Sequence, residues 1–179
     1  MSLVTRLLAT GCAVSILAAP ANAQFGGMNL RGSTVGVAMN TPIGEFEQLV
    51  KTGFGIALRS GSAGQERWSG RSNFSFDTFN GTTIYENVQF ITFGFDIVHS
   101  TRQSFYQFGG VSLMNSRFTA RTGTAGINHR DQDFGLNGGV GVNWGAGEGL
   151  KGFVEFAATT VFTAGGNSAW FPVRLGIRF

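Results

Sequence analysis

From Ser33 onward, apolar residues return at every second position within short segments, and inside those segments, apart from Glu66 at the start of one, no charged residue shares the apolar parity. Phe54, Ile56 and Leu58 oppose Arg59, and Trp68, Phe74 and Phe76 oppose Arg67, Arg71 and Asn73. Ile91, Phe93, Phe95 and Ile97 oppose Asp96, while Phe134, Leu136, Val140, Val142 and Trp144 oppose Asp133, Asn137 and Asn143. Val154 and Phe156 oppose Lys151 and Glu155, and Phe171, Val173, Leu175, Ile177 and Phe179 oppose Arg174 and Arg178. A strand that crosses a bilayer must segregate its charges in this way, because Arg or Lys on the lipid side costs about 2–4 kcal/mol at the midplane. A soluble sandwich or barrel also alternates, with its polar face turned to water. The pattern therefore establishes two faces per strand without deciding which one meets lipid.

Eight such segments lie near Thr34 to Asn40, Thr52 to Ser60, Glu66 to Phe76, Val88 to Val98, Ser104 to Met114, Asp133 to Gly145, Leu150 to Phe162 and Ala169 to Phe179. An even number suits a single-chain barrel. Three features favour lipid on the apolar side. The polar parity is rich in glycine (Gly53, Gly55, Gly135, Gly139, Gly141, Gly176), which suits a narrow lumen. Trp68 and Trp144 sit near segment ends, where interface aromatics form girdles, and Trp170, which has the polar parity, is expected beyond the membrane. Connections alternate between long and short, with a long one from Asn115 to Gln132. Ser104 to Met114 gives no face assignment, since Tyr106 and Phe108 compete with Phe105, Val111 and Leu113, and Pro172 predicts a bulge or a strand end.

Composition agrees with a membrane fate by strands. Charged residues are 13% of the chain and glycine supplies 28 of 179 residues, both unusual for a water-facing domain. The arginines are scattered, so nucleic acid is not an expected partner. The start, Met1-Ser2-Leu3-Val4-Thr5-Arg6, then an apolar run from Leu7 to Ala19, then Pro20-Ala21-Asn22-Ala23, reads as a secretory signal peptide over 1–23, leaving 24–179 as one domain. Cys12, the one cysteine, lies in that leader; cleavage there as a lipoprotein would strand apolar residues beyond the cut. The mature chain would then need no disulfide.

The final strand, from Trp170 to Phe179 with Phe171, Val173, Leu175, Ile177 and a terminal Phe179 on one parity, resembles the C-terminal signature of outer-membrane barrels. With the leader and the eight segments, the mature chain resembles the small eight-stranded barrels of the opacity-protein and OmpA-like type. Thr41-Pro42-Ile43-Gly44-Glu45-Phe46 is similar to a first-loop sequence of such proteins. The resemblance implies an all-β, closed antiparallel transmembrane barrel in the bacterial outer membrane, in contact with its lipid. It also implies recognition of the last strand by the outer-membrane assembly machinery. The periplasmic peptidoglycan-binding domain of full OmpA-type proteins is not expected beyond Phe179.

The chemistry that the residues offer is sparse. His99, Ser100 and Asp96 could suggest a Ser/His/acid set, but the expected place is a turn on the side away from outer-leaflet lipid, and no catalysis is expected. His129 with Asp131 and Asp133 has no diagnostic ligand spacing, and a solvated loop is expected there, with no metal and no cofactor. Gly138-Gly139-Val140-Gly141 lies mid-strand with no helix after it, so it is not a phosphate loop. Arg59, Arg67, Arg71, Asp96, Lys151, Glu155, Arg174 and Arg178 share the inward parity and should pair within a lumen that side chains can fill. The expected role is structural or surface interaction through the far loops, with an unknown extracellular partner. A narrow ion or small-solute channel is the first alternative, and a soluble periplasmic barrel with an apolar ligand inside is the second.

Overall fold

Alternation of this kind forms strands because a pleated backbone sends successive side chains to opposite faces. In the computed structural model, which describes residues 32–61, 67–101, 104–145, 151–163 and 166–179, they form a closed antiparallel barrel. Its strands are β1 (Ser33–Ile43), β2 (Val50–Ser60), β3 (Trp68–Gly81), β4 (Tyr85–Ser100), β5 (Phe105–Ala120), β6 (His129–Trp144), β7 (Lys151–Thr163) and β8 (Gly166–Arg178), with one helical turn, α1 (Phe46–Leu49), between β1 and β2. Each strand pairs with its neighbours in sequence, and β1 closes on β8 from Thr34↔Arg178 to Ile43↔Ala169. The leader, including Cys12, and the segment starts at Glu66 and Leu150 lie outside the described residues.

The apolar parity faces out. Phe54, Phe93 and Leu113 are 62%, 61% and 70% exposed, whereas Arg59, Arg71, Asp96, Glu155 and Arg174 are buried inside. That direction is the one a bilayer requires, and it is the reverse of a soluble barrel with an apolar cavity. Trp68 and Trp144 are on the outer face, at the end of the barrel that carries both of its termini. That end is called the terminal end here, and the opposite one the far end.

Four expectations need correction. The strands run further toward the far end than the apolar pattern does: β5 continues to Ala120 and β6 begins at His129, so the long loop expected over Asn115 to Gln132 shrinks to 121–128. The expected long link after the third segment is likewise reduced, to 82–84 between β3 and β4. His99 belongs to β4 and His129 to β6, and neither lies in a loop or turn. Trp170 is 1% exposed inside the barrel and not beyond the membrane, because its inward parity puts it in an apolar layer that the sequence pattern did not reveal. At Pro172 there is no bulge, since the register with β7 is the same on both sides, Phe156↔Val173 and Thr159↔Trp170.

Glycines on the wall make space for rings on the neighbouring strand. Tyr106 is paired with Gly141, Phe153 with Gly176, Phe79 with Gly53 and Trp144 with Gly152, and a Cβ at each of these glycines would run into the ring. β5 is hard to read in sequence for the matching reason: its inward residues include Tyr106, Phe108, Met114 and Phe118, so both of its faces are apolar. Gly141→Ala should push Tyr106 off its position and lower stability by about 1–3 kcal/mol, as overpacking does. The urea midpoint of the folded barrel in detergent measures this, and an unchanged midpoint would show that the ring yields without cost.

Candidate functional site

The inward residues divide the lumen into layers, because each strand contributes every second side chain at successive heights. Near the terminal end lies a buried ion-pair network centred on Glu155 of β7. Arg71 of β3 donates from Nη1 to Glu155 Oε1 at 2.7 Å, and from Nε and Nη2 to Asp96 Oδ2 at 3.0 and 2.8 Å. Arg59 of β2 forms an ion pair with Glu155 Oε2, and Arg174 Nη1 of β8 lies 4.0 Å from the same oxygen. Tyr106 donates its hydroxyl to Glu155 Oε1 at 2.7 Å. The second oxygen of Asp96 accepts from Asn73 at 2.9 Å and from Asn137 at 2.7 Å. The Arg71 guanidinium also stands 4.4 Å from the centre of the Phe108 ring.

Three guanidinium groups thus share two carboxylates, and all five residues are under 9% exposed. Such a set persists in a low-dielectric space only when the charges satisfy one another, because each isolated ion would cost several kcal/mol. The strands that carry these groups are far apart in sequence. Arg71 and Glu155 are 84 residues apart, and only barrel closure brings them together.

Not every inward-parity charge joins this network. Arg67, which precedes β3, and Lys151, the first residue of β7, are exposed at the terminal end. Parity fixes a side, but a side chain is enclosed only within the height of the barrel. Arg178 is partly buried and also at that end, next to Thr34 and Lys151 in register. Two inward carboxylates escaped the sequence reading of the cluster. Asp77 accepts from Asn40 at 2.6 Å and Ser75 at 2.7 Å, and Asp133 accepts from Ser116 at 2.7 Å. Asp77 was missed because the apolar alternation on β3 stops at Phe76. Above the ion pairs, a small polar cavity is lined by the hydroxyls of Ser75, Thr92, Ser112 and Thr159 together with Asp77.

The far end of the lumen is apolar. Phe46, Val50, Phe79, Val88, Phe90, Met114, Phe118, Val161 and Trp170 form one buried cluster. Trp170 stacks on Phe90 at 4.9 Å, and Phe46 meets Phe79 edge-on at 5.1 Å. Phe46 gets there because Gly44 turns the chain with a positive φ of 63° and α1 then dips the ring between the strands. Above the cluster, His129 stacks on Phe118 at 4.3 Å and lies 3.6 Å from Asp131. Asp133 points to Ser116 instead, so the His/Asp/Asp set does not converge. At the other end, His99 packs on Trp68 at 4.3 Å and contacts Gln107 at 3.1 Å on the outer face. Asp96 points inward to Arg71, so the strand separates the Ser/His/acid candidates.

No family model and no curated protein matches the sequence. Solved structures do match the fold. Neisserial surface protein A superposes with a TM-score of 0.54 at 11% identity, covering 82% of this chain and 96% of that one. The attachment invasion locus protein of Yersinia pestis gives 0.53 at 13% identity, covering 83% and 99%, and its complex with the heparin analogue sucrose octasulfate gives 0.52 at 13%, covering 82% and 97%. At these identities the likeness is one of architecture.

Proposed function

We propose that this chain, a barrel with the architecture of the small outer-membrane proteins, resides in the outer membrane as a structural or surface-interaction protein whose lumen passes no solute. One observation carries the reading: the interior is occupied at two heights by different chemistry, the Arg59/Arg71/Arg174 network with Glu155 and Asp96, and the apolar cluster around Trp170. An ion would have to cross an apolar layer and then displace buried ion pairs, and each step is costly. The expected result in a planar bilayer is silence; sustained, well-defined conductance from the wild-type protein would reject it.

With both barrel termini in the periplasm, the far end faces the exterior. One neighbour by fold has been solved in complex with a heparin analogue, which supports a contact role for this barrel. Here the far-end links are short, so the surface on offer is chiefly the tall ends of β3 to β6. No catalytic role is proposed.

Assembly depends, in this reading, on the last residue. Phe179 donates its N–H to Ser33 O at 3.0 Å and accepts from Gly32 N at 2.9 Å, which completes the β1–β8 seam. Deleting Phe179 removes both bonds and the terminal aromatic that the assembly machinery is proposed to read. The membrane-inserted fraction, scored by the mobility shift on boiling, should fall several-fold while protease-sensitive precursor accumulates, and an unaltered fraction would reject the seam as a recognition element.

A further inference from the structure

The extension of β5 and β6 beyond the apolar belt carries two arginines on the outward parity, the side that lower down holds Val111, Leu113, Phe134 and Leu136. Arg117 and Arg130 are direct cross-strand partners and both are exposed. Like charges directly opposite on one sheet face repel. Among the described residues neither guanidinium is in an ion pair, and Asp131, next to Arg130 in the chain, has the other parity and lies 3.6 Å from His129. The same hydrogen-bonded row continues through Gln89, opposite Arg117, to Thr78, opposite Gln89, so two more polar side chains extend the patch.

The position of the pair along its strands identifies the ligand chemistry. On β5 the outward sequence runs Leu113, Asn115, Arg117, and on β6 it runs Phe134, Gln132, Arg130. Each arginine is therefore four residues past the last apolar residue on the outward face of its strand, about 13 Å at strand rise, with a polar amide between. Beyond the hydrocarbon lies the headgroup layer, where the anions are phosphates. A guanidinium offers a planar fork of donors that fits two phosphate oxygens, and its stem can bend back along the wall toward the membrane. The pair points sideways over the lipid and not upward from the rim.

We propose that Arg117 and Arg130 together clamp the phosphate group of an outer-leaflet lipid headgroup, with Gln89 as a flanking donor. The clamp rests on the outer-membrane placement proposed above. The anion would convert the repulsive pair into a bridged one, fixing a lipid against β5 and β6.

The test uses the full barrel purified in uncharged detergent and native mass spectrometry. Lipid A, a bis-phosphorylated glucosamine lipid, is the probe, with dephosphorylated lipid A, inorganic phosphate and sucrose octasulfate as comparators. The wild type should retain lipid A about tenfold better than its dephosphorylated form, the scale of one lost charge-assisted contact. Arg117→Gln with Arg130→Gln should abolish that preference while leaving the boiling-dependent mobility shift unchanged. A wild type without preference for the phosphorylated lipid would overturn the proposal, and that comparison needs no variant to fold. So would a double variant that keeps the preference. Inorganic phosphate competing as well as lipid A would show a simple anion site, and sucrose octasulfate binding at lower concentration would show a soluble-polyanion site; either result overturns the lipid assignment. Fractionation of the native host separates the two readings. A barrel absent from the outer membrane defeats the placement, whereas a correctly placed barrel without phosphate preference defeats only the clamp.

Discussion

Replacing Glu155 with alanine should destabilise the barrel by about 3–5 kcal/mol, the usual cost of breaking a buried ion pair from one side. Arg59 and Arg71 would lose their bonds to it, and Arg174 its nearest carboxylate, while all three guanidinium groups stayed buried. Asp96 cannot compensate, because its oxygens are already committed to Arg71, Asn73 and Asn137. Tyr106 would also lose its acceptor. Equilibrium urea unfolding, followed by the boiling-dependent gel shift, measures the loss. Lys151→Ala is the matched control: the residue has the same inward parity on the same strand but is exposed, so its effect should stay within about 0.5 kcal/mol. A Glu155→Ala barrel as stable as the wild type would mean that the guanidinium groups find water once the carboxylate is gone, and the network would not be structural.

The second large effect is expected at the other layer. Trp170→Ala removes the ring that contacts Phe90, Phe79 and Phe46 at 4.9, 5.5 and 6.0 Å, and large-to-small changes of aromatic residues in a core cost about 3–5 kcal/mol. The same unfolding experiment reads it. Because Trp68 and Trp144 are on the outer face, against lipid or detergent, and Trp170 is buried in the lumen, the variant should also lose the emission component that neither a water-soluble nor a lipid-borne quencher reaches. In a planar bilayer Trp170→Ala should remain silent, since the ion-pair layer still closes the lumen. A variant that conducts would assign closure to the apolar layer alone, and one with wild-type stability would show that α1 and its Phe46 collapse into the space.

The sequence disclosed the strands where one face was apolar and the other was not. β2, β7 and β8 are legible almost residue by residue, because Phe54, Ile56 and Leu58, or Phe171, Val173 and Leu175, face outward and arginines or glutamate face the lumen. β5 could not be read, because rings line both of its sides. The far ends of β5 and β6 resemble loop in sequence for the opposite reason: from Asn115 to Ala120 neither face is strongly apolar, so the period of two vanishes although the hydrogen bonding continues. Parity also told which charges point inward without telling which of them meet. Glu155 gathers arginines from three other strands, and that convergence depends on barrel register, which local alternation does not encode. The apolar plug is hidden in sequence because its rings, among them Phe79, Phe90, Phe118 and Trp170, are spread over separate strands and obey the polar parity of each.

The pairing of rings with glycines across neighbouring strands bears on how such a barrel avoids closing in the wrong frame. A slip that kept inside and outside correct would have to move by two residues, which the alternation of apolar and polar positions does not forbid. It would, however, take Tyr106 off Gly141, Phe153 off Gly176, Phe79 off Gly53 and Trp144 off Gly152. Phe153 would then meet Arg174 or Arg178 and Trp144 would meet Leu150 or Val154, whichever way the slip ran, whereas Tyr106 would meet Asn143 in one direction and Gly139 in the other, and Phe79 would meet Lys51 or Gly55. The glycines therefore act as keyholes: they admit the rings in one frame and refuse them in its nearest plausible error, in both directions at the β6–β7 and β7–β8 seams and in one direction at the β2–β3 and β5–β6 seams.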